Sequence, residues 1–452
     1  MNVVIIGNGK VGSNLSELLV EEGHDITVID SKRLALKKAS DRQDIMCVEG
    51  NGAVAEVQRE AGVDKAGLVI ACTPSDELNI LCCLIAKRIG AKKTISRVRN
   101  PEYFDQINMI KEELGLSMVI NPELMTADEI FRILVLPAAA KVEVFQKGRI
   151  ELVEHCVMEG TELDGISLSE LYKKLKMKFL IGVVQRGSKT IIPDGQFVLE
   201  AGDRIHICAT HNEIERFFKA SSVAISKIKN VMIVGGGRVA YYLAKHLLEV
   251  NMRVKIIDND QERCLKLAEL IPDASIINAD GTDQELLIEE GVYNAGAFVS
   301  LTGIDEENMI MSLFAERNTY AKVVTKVNRD SYIDLATQIG LETVISPKYL
   351  TTSNIISYIR SLKNAAGNNI ESLYSLVGKE VEAIEFKVKE KVDGIVGVKL
   401  KEMKTKKNIL ICAIIRNREI IIPNGSDSIQ LGDSVVIISK DYKFSSINDI
   451  LD

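Results

Sequence analysis

Three glycines and one carboxylate near the N-terminus have the types and the spacing needed to bind a nucleotide. Gly7, Gly9 and Gly12 follow the apolar segment Val3–Ile6, and Asp30 lies 21 residues after Gly9. Gly7 permits a tight turn, Gly9 leaves room for a pyrophosphate, and Gly12 lets the next helix approach the strand. Asp30 can bind both ribose hydroxyls, and it would repel a 2′-phosphate. NAD(H) or an adenine nucleotide is therefore favoured over NADP(H).

The alternative interpretation is a glycine turn that only packs a helix onto a sheet. The context favours nucleotide binding, because the amphipathic segment Ser13–Glu22 follows the turn and the apolar strand Ile26–Ile29 ends at Asp30. The helix N-terminus would offer free N–H groups and a partial positive charge to phosphates. The candidate binding residues of the turn are Gly7, Asn8, Gly9, Lys10, Val11 and Gly12.

Strands alternate with helices through the first part of the chain, which predicts a doubly wound parallel sheet. Ligands bind such sheets at the carboxyl ends of the strands. Asn51, Thr73, Pro74 and Arg97 lie at or close to predicted strand ends, as do the glycine turn and Asp30. We therefore expect five strand ends to carry residues that face one nucleotide.

The whole pattern begins again in the second half of the chain. Order, spacing and residue type agree at offsets of 228 to 230 residues, which indicates an internal duplication. The segment Ala279–Thr282 is placed opposite Glu49–Gly52, with the register left open. The matching candidate binding residues are Gly235, Gly237, Arg238, Val239, Asp258, Asp280, Thr302 and Lys326.

The duplication predicts the order A-B-A′-B′, in which a Rossmann-like α/β domain precedes a small α+β domain in each half. A helix that starts at a proline connects the two domains, and the polar segment 219–230 is expected to be a linker. The predicted segments are residues 1–120 (first Rossmann-like domain), 121–138 (connecting helix), 139–220 (first small domain), 229–346 (second Rossmann-like domain), 347–368 (connecting helix) and 369–452 (second small domain).

Four basic side chains occupy matching positions in the two halves. Lys10 and Arg238 follow the middle glycine, where a cation could reach a terminal phosphate or could simply be solvated, and both interpretations stay open. Arg97 and Lys326 end buried strands. A ligand role is favoured for them, because a cation emerging from a buried strand needs a partner.

Two further pairs have structural alternatives. Asp76 and Asp305 precede a long helix and are expected to be N-caps. Thr73 and Thr302 could hydrogen-bond the ligand or support the turn, and the repeat does not decide between these roles.

Composition excludes several classes of protein. The 452 residues are 46% apolar and 26% charged with a net charge of −7, and without a basic stripe nucleic acid is not an expected partner. No apolar segment approaches the roughly 18 residues of a membrane helix. The N-terminus enters the first strand directly, so no signal peptide is expected. Eight scattered cysteines without a CxxC pair indicate a reduced protein, and five histidines show no metal-ligand spacing.

The sequence carries no motif for catalysis. It lacks the GxxxxGK[ST] pattern of P-loop ATPases, and no cysteine–histidine or serine–histidine arrangement can be identified. A dehydrogenase needs an acid or base beside the nicotinamide and a domain that holds the substrate. The small domains offer no such constellation in both halves, so two nucleotide sites without chemistry suggest a sensor rather than an enzyme.

At this point the residues resemble a known family. Gly7–Gly12, Thr73–Glu77 and Lys93–Arg99, with Asp30 and the repeated Ile-Pro-Asp/Asn-Gly and Gly-Asp signatures, resemble regulator-of-potassium-conductance (RCK) domains. The tandem arrangement over nearly the whole chain is similar to the TrkA family, the peripheral nucleotide-binding subunits of Trk potassium uptake systems.

The resemblance implies NAD(H), with ATP or ADP as the other candidates, in the Rossmann-like domains. It implies a homotetrameric ring on a TrkH-like membrane potassium-translocating subunit, at the cytoplasmic face of the membrane. It assigns Gly7–Val11, Asp30, Thr73-Pro74 and Arg97 as contacts of the first nucleotide. Asn51 departs from the acidic residue often found there in the family, and Asp280 keeps it.

The resulting hypothesis is a regulatory subunit in which nucleotide binding shifts the Rossmann-like domains and the small domains transmit the change to a potassium-translocating partner. One alternative is an NAD-dependent oxidoreductase with a duplicated fold. A second alternative is a soluble nucleotide-sensing ring with a partner that is not a transporter.

Overall fold

A computed structural model of the protein describes residues 1–41, 44–145, 148–221, 227–364, 370–377, 380–444 and 446–452. The chain forms two compact units, each built from both halves of the sequence. One unit combines Met1–Ile130 with Asn230–Asn354, and the other combines Phe131–Lys229 with Ile355–Asp452. The Rossmann-like domains therefore share one unit, and the small domains share the other.

The first Rossmann-like domain is a six-stranded parallel sheet in the order β3-β2-β1-β4-β5-β6. Its strands are β1 (Asn2–Ile6), β2 (Asp25–Asp30), β3 (Met46–Glu49), β4 (Leu68–Ala71), β5 (Lys93–Arg97) and β6 (Met118–Ile120). Its helices are α1 (Lys10–Glu21), α2 (Arg33–Ser40), α3 (Ala55–Glu60), α4 (Asp76–Ile89), α5 (Phe104–Met109) and α6 (Pro122–Val135).

The central strand β1 is apolar on both of its faces, as expected for a sheet that helices cover on both sides. Val3, Val4, Ile5 and Ile6 are all buried, as a parallel strand between two helical layers requires. Helix α1 contains most of the amphipathic segment Ser13–Glu22 and begins ahead of it at Lys10, because Gly9 has extended backbone angles and serves directly as the N-cap. The chain thus passes from strand to helix through the glycine turn alone.

The first small domain is a five-stranded antiparallel sheet in the order β10-β9-β11-β8-β7 with two helices. Its strands are β7 (Lys141–Phe145), β8 (Ile150–Cys156), β9 (Phe179–Arg186), β10 (Lys189–Ile191) and β11 (Arg204–Ala209), and its helices are α7 (Leu168–Leu175) and α8 (His211–Ala220). Helix α8 occupies the start of the predicted linker, of which residues 222–226 lie outside the described residues.

The second Rossmann-like domain repeats the first, with the sheet order β14-β13-β12-β15-β16-β17. Its strands are β12 (Asn230–Val234), β13 (Arg253–Asp258), β14 (Ser275–Asn278), β15 (Ala297–Ser300), β16 (Lys322–Lys326) and β17 (Val344–Ile345). Its helices are α9 (Arg238–Glu249), α10 (Gln261–Leu270), α11 (Gln284–Glu289), α12 (Asp305–Asn318), α13 (Ser331–Gln338) and α14 (Pro347–Asn364). Residues 365–368 of the predicted connecting helix lie outside the described residues.

The second small domain keeps the antiparallel sheet in the order β18-β19-β22-β20-β21. In place of α7 it has the short 3₁₀ helix Leu400–Glu402. Its strands are β18 (Ile370–Val377), β19 (Val381–Lys387), β20 (Ile409–Arg416), β21 (Glu419–Ile421) and β22 (Ser434–Lys440). The predicted fold class, two doubly wound parallel sheets each followed by a small domain, is confirmed.

The two small domains share a hydrophobic core within their unit. Phe145 and Leu152 from the first domain pack in one cluster with Cys412 and Ile438 from the second. The Tyr374 hydroxyl adds a hydrogen bond of 2.7 Å to the Val144 carbonyl oxygen. Burial of apolar surface is the main source of this association.

Among the described helices, none is both long enough and apolar enough to cross a bilayer.

Candidate functional site

The first glycine turn has the geometry that the motif predicts. Gly7 has a φ of 98°, and a Cβ atom there would come within 3.0 Å of the Thr73 nitrogen. A Cβ atom on Gly12 would lie 2.0 Å from the Gly7 carbonyl oxygen, so Gly12 is required for helix packing. A Cβ atom on Gly9 would meet no atom of the described residues within 4 Å, which leaves open space beside the N-terminus of α1.

Asp30 is held by backbone N–H groups at the end of β2. One carboxylate oxygen accepts from Asn8 N at 2.7 Å, and the other accepts from Lys32 N at 2.8 Å. A carboxylate has about four acceptor positions, so two remain for a ligand. The carboxylate is therefore fixed in direction while it can still bind ribose hydroxyls.

A buried asparagine that the sequence analysis did not single out for a role organises the next strand ends. Asn79 on α4 accepts from the Thr73 N–H and hydroxyl, both at 2.7 Å, through its side-chain oxygen. Its side-chain amide donates to the carbonyl oxygens of Thr73 and Arg97 at 3.1 and 3.0 Å. Thr73 thus supports the turn, and Asn79 holds the ends of β4 and β5 together. Asn308 makes the same contacts in the second half. The recurrence of the asparagine at the repeat spacing was the available sequence signal.

Arg97 ends β5 with its guanidinium directed at the loop after β4. It donates to the Thr73 carbonyl oxygen, and burial lowers the pKa of Arg97 from its usual value. Its buried Nε has no hydrogen-bond partner among the described residues. The protein therefore supplies only some of the hydrogen-bond acceptors that the partly buried Arg97 guanidinium needs.

The first cleft is the space enclosed by these strand ends, with a volume of about 710 Å³. Gly12 lies outside its walls, since its place is in the contact between α1 and the turn. The predicted residues that line the first cleft are Gly7, Asn8, Gly9, Lys10, Val11, Asp30, Asn51, Thr73, Pro74 and Arg97.

The second cleft lies at the matching strand ends of the second Rossmann-like domain and has a volume of about 480 Å³. Arg238 and Val239 lie outside its walls: Arg238 is exposed and Val239 is buried in the domain. The predicted residues that line the second cleft are Gly235, Gly237, Asp258, Asp280, Thr302 and Lys326.

The structure settles the register that the sequence left open. Gly52 and Gly281 both lie against the last β-branched residue of the central strand, Ile6 in one half and Val234 in the other. Asn51 and Asp280 precede these glycines and accept equivalent backbone hydrogen bonds. The segment Ala279–Thr282 is therefore shifted by one residue relative to Glu49–Gly52, because the β13–β14 connection is one residue longer than its counterpart.

Lys326 is the counterpart of Arg97 and points back onto its own domain. Its ammonium group donates to the Leu301 carbonyl oxygen at 2.9 Å. Burial lowers the pKa of Lys326 to about 8, and Lys10 from the first domain acts in the same direction, while Asp305 and Glu123 oppose the shift.

Asp76 and Asp305 are not the N-caps that the sequence analysis predicted. Ser75 caps α4, and Asp76 instead accepts from the N–H groups of Arg99 and Asn100 at 2.8 and 2.9 Å. Asp305 binds the matching loop after β16 in the same way. Each carboxylate lies one residue too far into the helix to cap it, and fixes the loop after the next strand.

The two Rossmann-like domains are joined by polar contacts within their unit. Asp330, in the loop that Asp305 fixes, accepts from Asn14 Nδ2 of the first domain at 2.9 Å and from Lys348 Nζ at 2.8 Å. Asn121 donates to the Tyr242 hydroxyl at 2.9 Å. Helix α1 of the first domain and α9 of the second therefore each contact the other domain.

The cysteines of the chain are reduced, and one of them lines the first cleft. All eight cysteines are free thiols. Cys72 lines the first cleft, where burial raises its pKa to about 11 and its thiol donates to the Gly7 carbonyl oxygen. Across the described residues, no group of three or more His, Cys, Asp or Glu side chains could hold a metal ion.

Comparison with known proteins agrees with this architecture. The TrkA-N domain model matches residues 3–122 and 231–347, and the TrkA-C domain model matches residues 152–221 and 383–451. The Trk system potassium uptake protein TrkA homolog 1 of Methanosarcina mazei is 34% identical over 447 residues, covering 97% of each chain. The TrkA homolog of Archaeoglobus fulgidus is 32% identical over 450 residues, covering 100% of each chain.

A solved structure shows the same fold at low sequence identity. The GsuK channel bound to NAD is 17% identical and superposes with a TM-score of 0.64, covering 97% of this chain and 77% of that one. Two copies each of the TrkA-N and TrkA-C domains, with full-length relatives above 30% identity, establish the family. The chain belongs to the TrkA family of Trk-system potassium uptake proteins.

Proposed function

We propose that the chain is the nucleotide-binding regulatory subunit of a Trk-type potassium uptake system. The observation that carries the proposal is the first cleft, where Gly9 leaves open space at a helix N-terminus and Asp30 keeps acceptor positions for a ribose. The relatives named as Trk-system potassium uptake proteins supply the biological context.

The proposed ligand is NAD(H), with ATP or ADP as the other candidates. Phosphates would lie against the N-terminus of α1, where unpaired N–H groups and the helix dipole favour negative charge. Lys10 and Arg97 border the same space and would add charge-assisted contacts. The similar GsuK channel was solved bound to NAD, which supports the dinucleotide.

The proposed partner is a TrkH-like membrane subunit that translocates potassium. We place the chain at the cytoplasmic face of the membrane as a peripheral homotetrameric ring. The family membership supports the membrane transporter as the class of partner. The ring and the number of its subunits rest on the family resemblance.

A nucleotide can regulate transport only if it binds one arrangement of the domains better than another. Helix α1 provides a physical connection between ligand and domain arrangement. Lys10 at its start lines the first cleft, and Asn14 one turn further along donates to Asp330 of the second domain. A ligand that shifts the N-terminus of α1 would therefore shift its contact with the second domain.

The proposed role is regulatory and not catalytic. The oxidoreductase alternative is not favoured, because the full-length relatives are named as potassium uptake proteins. It would be supported by steady consumption of NADH together with a small substrate.

Binding is tested by isothermal titration of the purified chain with NADH and with ADP. Gly9→Val would place its Cβ atom in the phosphate space, where none of the described residues lies within 4 Å, and should abolish binding to the first cleft. Gly195→Ala is the matched control, since a Cβ atom there meets only Ser169 at 3.8 Å. Nucleotide binding that survives Gly9→Val at full strength would place the ligand elsewhere.

Regulation is tested separately by potassium flux in reconstituted membranes. If NAD(H) and adenine nucleotides leave this flux unchanged, the regulatory role is wrong.

A further inference from the structure

Asp258, the counterpart of Asp30 in the second cleft, already has a side-chain partner. Arg263 Nη1 donates to both oxygens of Asp258, at 2.9 and 2.8 Å. Asp258 also accepts from the N–H groups of Gly236 at 2.6 Å and Asp260 at 2.9 Å. About four acceptor positions exist on a carboxylate. Asp258 therefore has no acceptor position left for ribose hydroxyls while Arg263 stays in place.

The first cleft lacks this arginine. Lys32 N binds Asp30 as Asp260 N binds Asp258, and Lys32 and Asp260 are the N-caps of α2 and α10. The third residue after each cap is Ala35 in the first half and Arg263 in the second. Ala35 lines the first cleft, as Arg263 lines the second. Among the described residues, no side chain forms a hydrogen bond to Asp30.

The charges that line the two clefts also favour the first cleft as the site for an anionic ligand. Of the described residues that line the first cleft, four are cationic and one is acidic: Lys10, Lys32, Arg97, Arg99 and Asp30. The second cleft is lined by two cationic and three acidic residues: Arg263, Lys326, Asp258, Asp280 and Glu307. Glu307 stands where the first cleft has Leu78. Arg238 lies outside the second cleft. Its positive charge favours the ionised form of Glu123 in the first domain and so opposes the rise in the pKa of Glu123 that burial causes.

We propose that the two clefts are not equivalent: the first is the adenine-nucleotide site, and Arg263 is a specificity-determining residue that closes the second by occupying the ribose-binding face of Asp258. This inference rests on the proposed nucleotide-binding function. An incoming adenosine diphosphate must displace a guanidinium from a buried carboxylate before it can bind the second cleft. It must also approach three carboxylates with two cations to offset them, where the first cleft offers four cations and one carboxylate.

The test is a calorimetric titration of the full chain with ADP, comparing the wild type with Arg263→Ala. We expect one strong site per chain in the wild type. Removing Arg263 gives the second cleft the side chain found in the first, and should strengthen its affinity for ADP by about tenfold or more, so that a second site becomes measurable. Arg263→Gln is the second variant and should act in the same direction with a smaller change.

Ala35→Arg is the reciprocal variant. An arginine there can reach Asp30 from the same helical position, and should weaken the strong site by about tenfold or more. Thermal unfolding of each variant checks that the chain is folded.

The outcomes separate the inference from the proposed function. Two equal sites in the wild type, or a loss of second-site affinity in Arg263→Ala, would overturn the inference and leave nucleotide binding intact. An absence of ADP and NADH binding in the wild type and in every variant would overturn the proposed function itself.

Discussion

His246 Nε2 lies 2.9 Å from Asp128 Oδ1, so that α9 of the second Rossmann-like domain is paired with α6, the helix that leaves the first. The hydrogen bond to Asp128 raises the pKa of His246 above its usual value of 6.5, and the nearby Glu249 adds to the shift while Lys245 opposes it. We therefore expect the contact between the duplicated domains to depend on pH.

The first prediction concerns the pH dependence of this contact. Because the pKa of His246 is raised in the folded state, the stabilisation is fully present below the unfolded value of 6.5 and is lost as the pH rises through the folded value. His246→Gln should lower the free energy of unfolding by about 0.5 kcal/mol at about pH 5.5 and by less at about pH 8.5. Urea unfolding at the two pH values measures the difference. Asp128→Asn should remove the same pH dependence, and a cost of His246→Gln that grows with pH would contradict this explanation.

The second prediction separates the two roles of the glycines in the first turn. Gly12→Ala would place a methyl group 2.0 Å from the Gly7 carbonyl oxygen, and should cost about 1–3 kcal/mol of stability through overpacking. Gly9→Ala meets no protein atom within 4 Å and should leave stability nearly unchanged while it weakens nucleotide binding. Thermal unfolding and ADP titration of both variants measure the two effects. Equal losses of stability in both variants would refute the separation.

The third prediction concerns the carboxylate that was expected to be a cap. Asp76→Ala frees the N–H groups of Arg99 and Asn100, and should cost about 2 kcal/mol as well as weaken nucleotide binding, because Arg99 lines the first cleft. Ser75→Ala removes the true N-cap and should cost about 1 kcal/mol without a comparable change in affinity. Chemical unfolding and titration calorimetry give both quantities. A larger loss of affinity in Ser75→Ala than in Asp76→Ala would argue against the role assigned to Asp76.

The fourth prediction concerns the repeated Gly-Asp signature of the small domains. Asp203 is fully buried and binds the Arg186 guanidinium through two hydrogen bonds of 2.7 and 2.8 Å. Arg186→Ala should cost about 2–3 kcal/mol, since it leaves a buried carboxylate without its cationic partner. Lys174→Ala breaks the exposed pair with Glu162 and should cost less than about 1 kcal/mol. Urea unfolding compares the two variants, and similar costs would show that burial of Asp203 does not matter.

The sequence predicted the fold and most walls of the clefts because these depend on features that are local or periodic. The glycine turn needs particular residue types at fixed spacing, and Gly7 and Asp30 lie where the motif requires. Because the chain is duplicated, the same pattern predicts the fold of both halves. The signature Asp433 also repeats the contact of Asp203, here with Arg416.

The roles of Asp76 and Arg263 could not be predicted, because they depend on which backbone groups and side chains meet across the fold. Asp76 has the residue type of a cap, but the loop after β5 brings two free N–H groups to it. Arg263 is one of several charged residues of α10, and only its position in the first turn of that helix brings it to Asp258. The one-residue difference before Asp280 was hidden because the β2–β3 and β13–β14 connections share no residue motif that fixes their alignment.

The central claim is that nucleotide binding by this chain controls potassium uptake. Its most direct test is rubidium uptake at limiting external potassium, in cells that lack this gene and are complemented with the wild type or with Asp30→Ala plus Asp258→Ala. The wild type should restore uptake, and the double variant should not, although immunoblotting finds the same amount of protein. Full uptake in the double variant, or in cells without the gene, would contradict the claim.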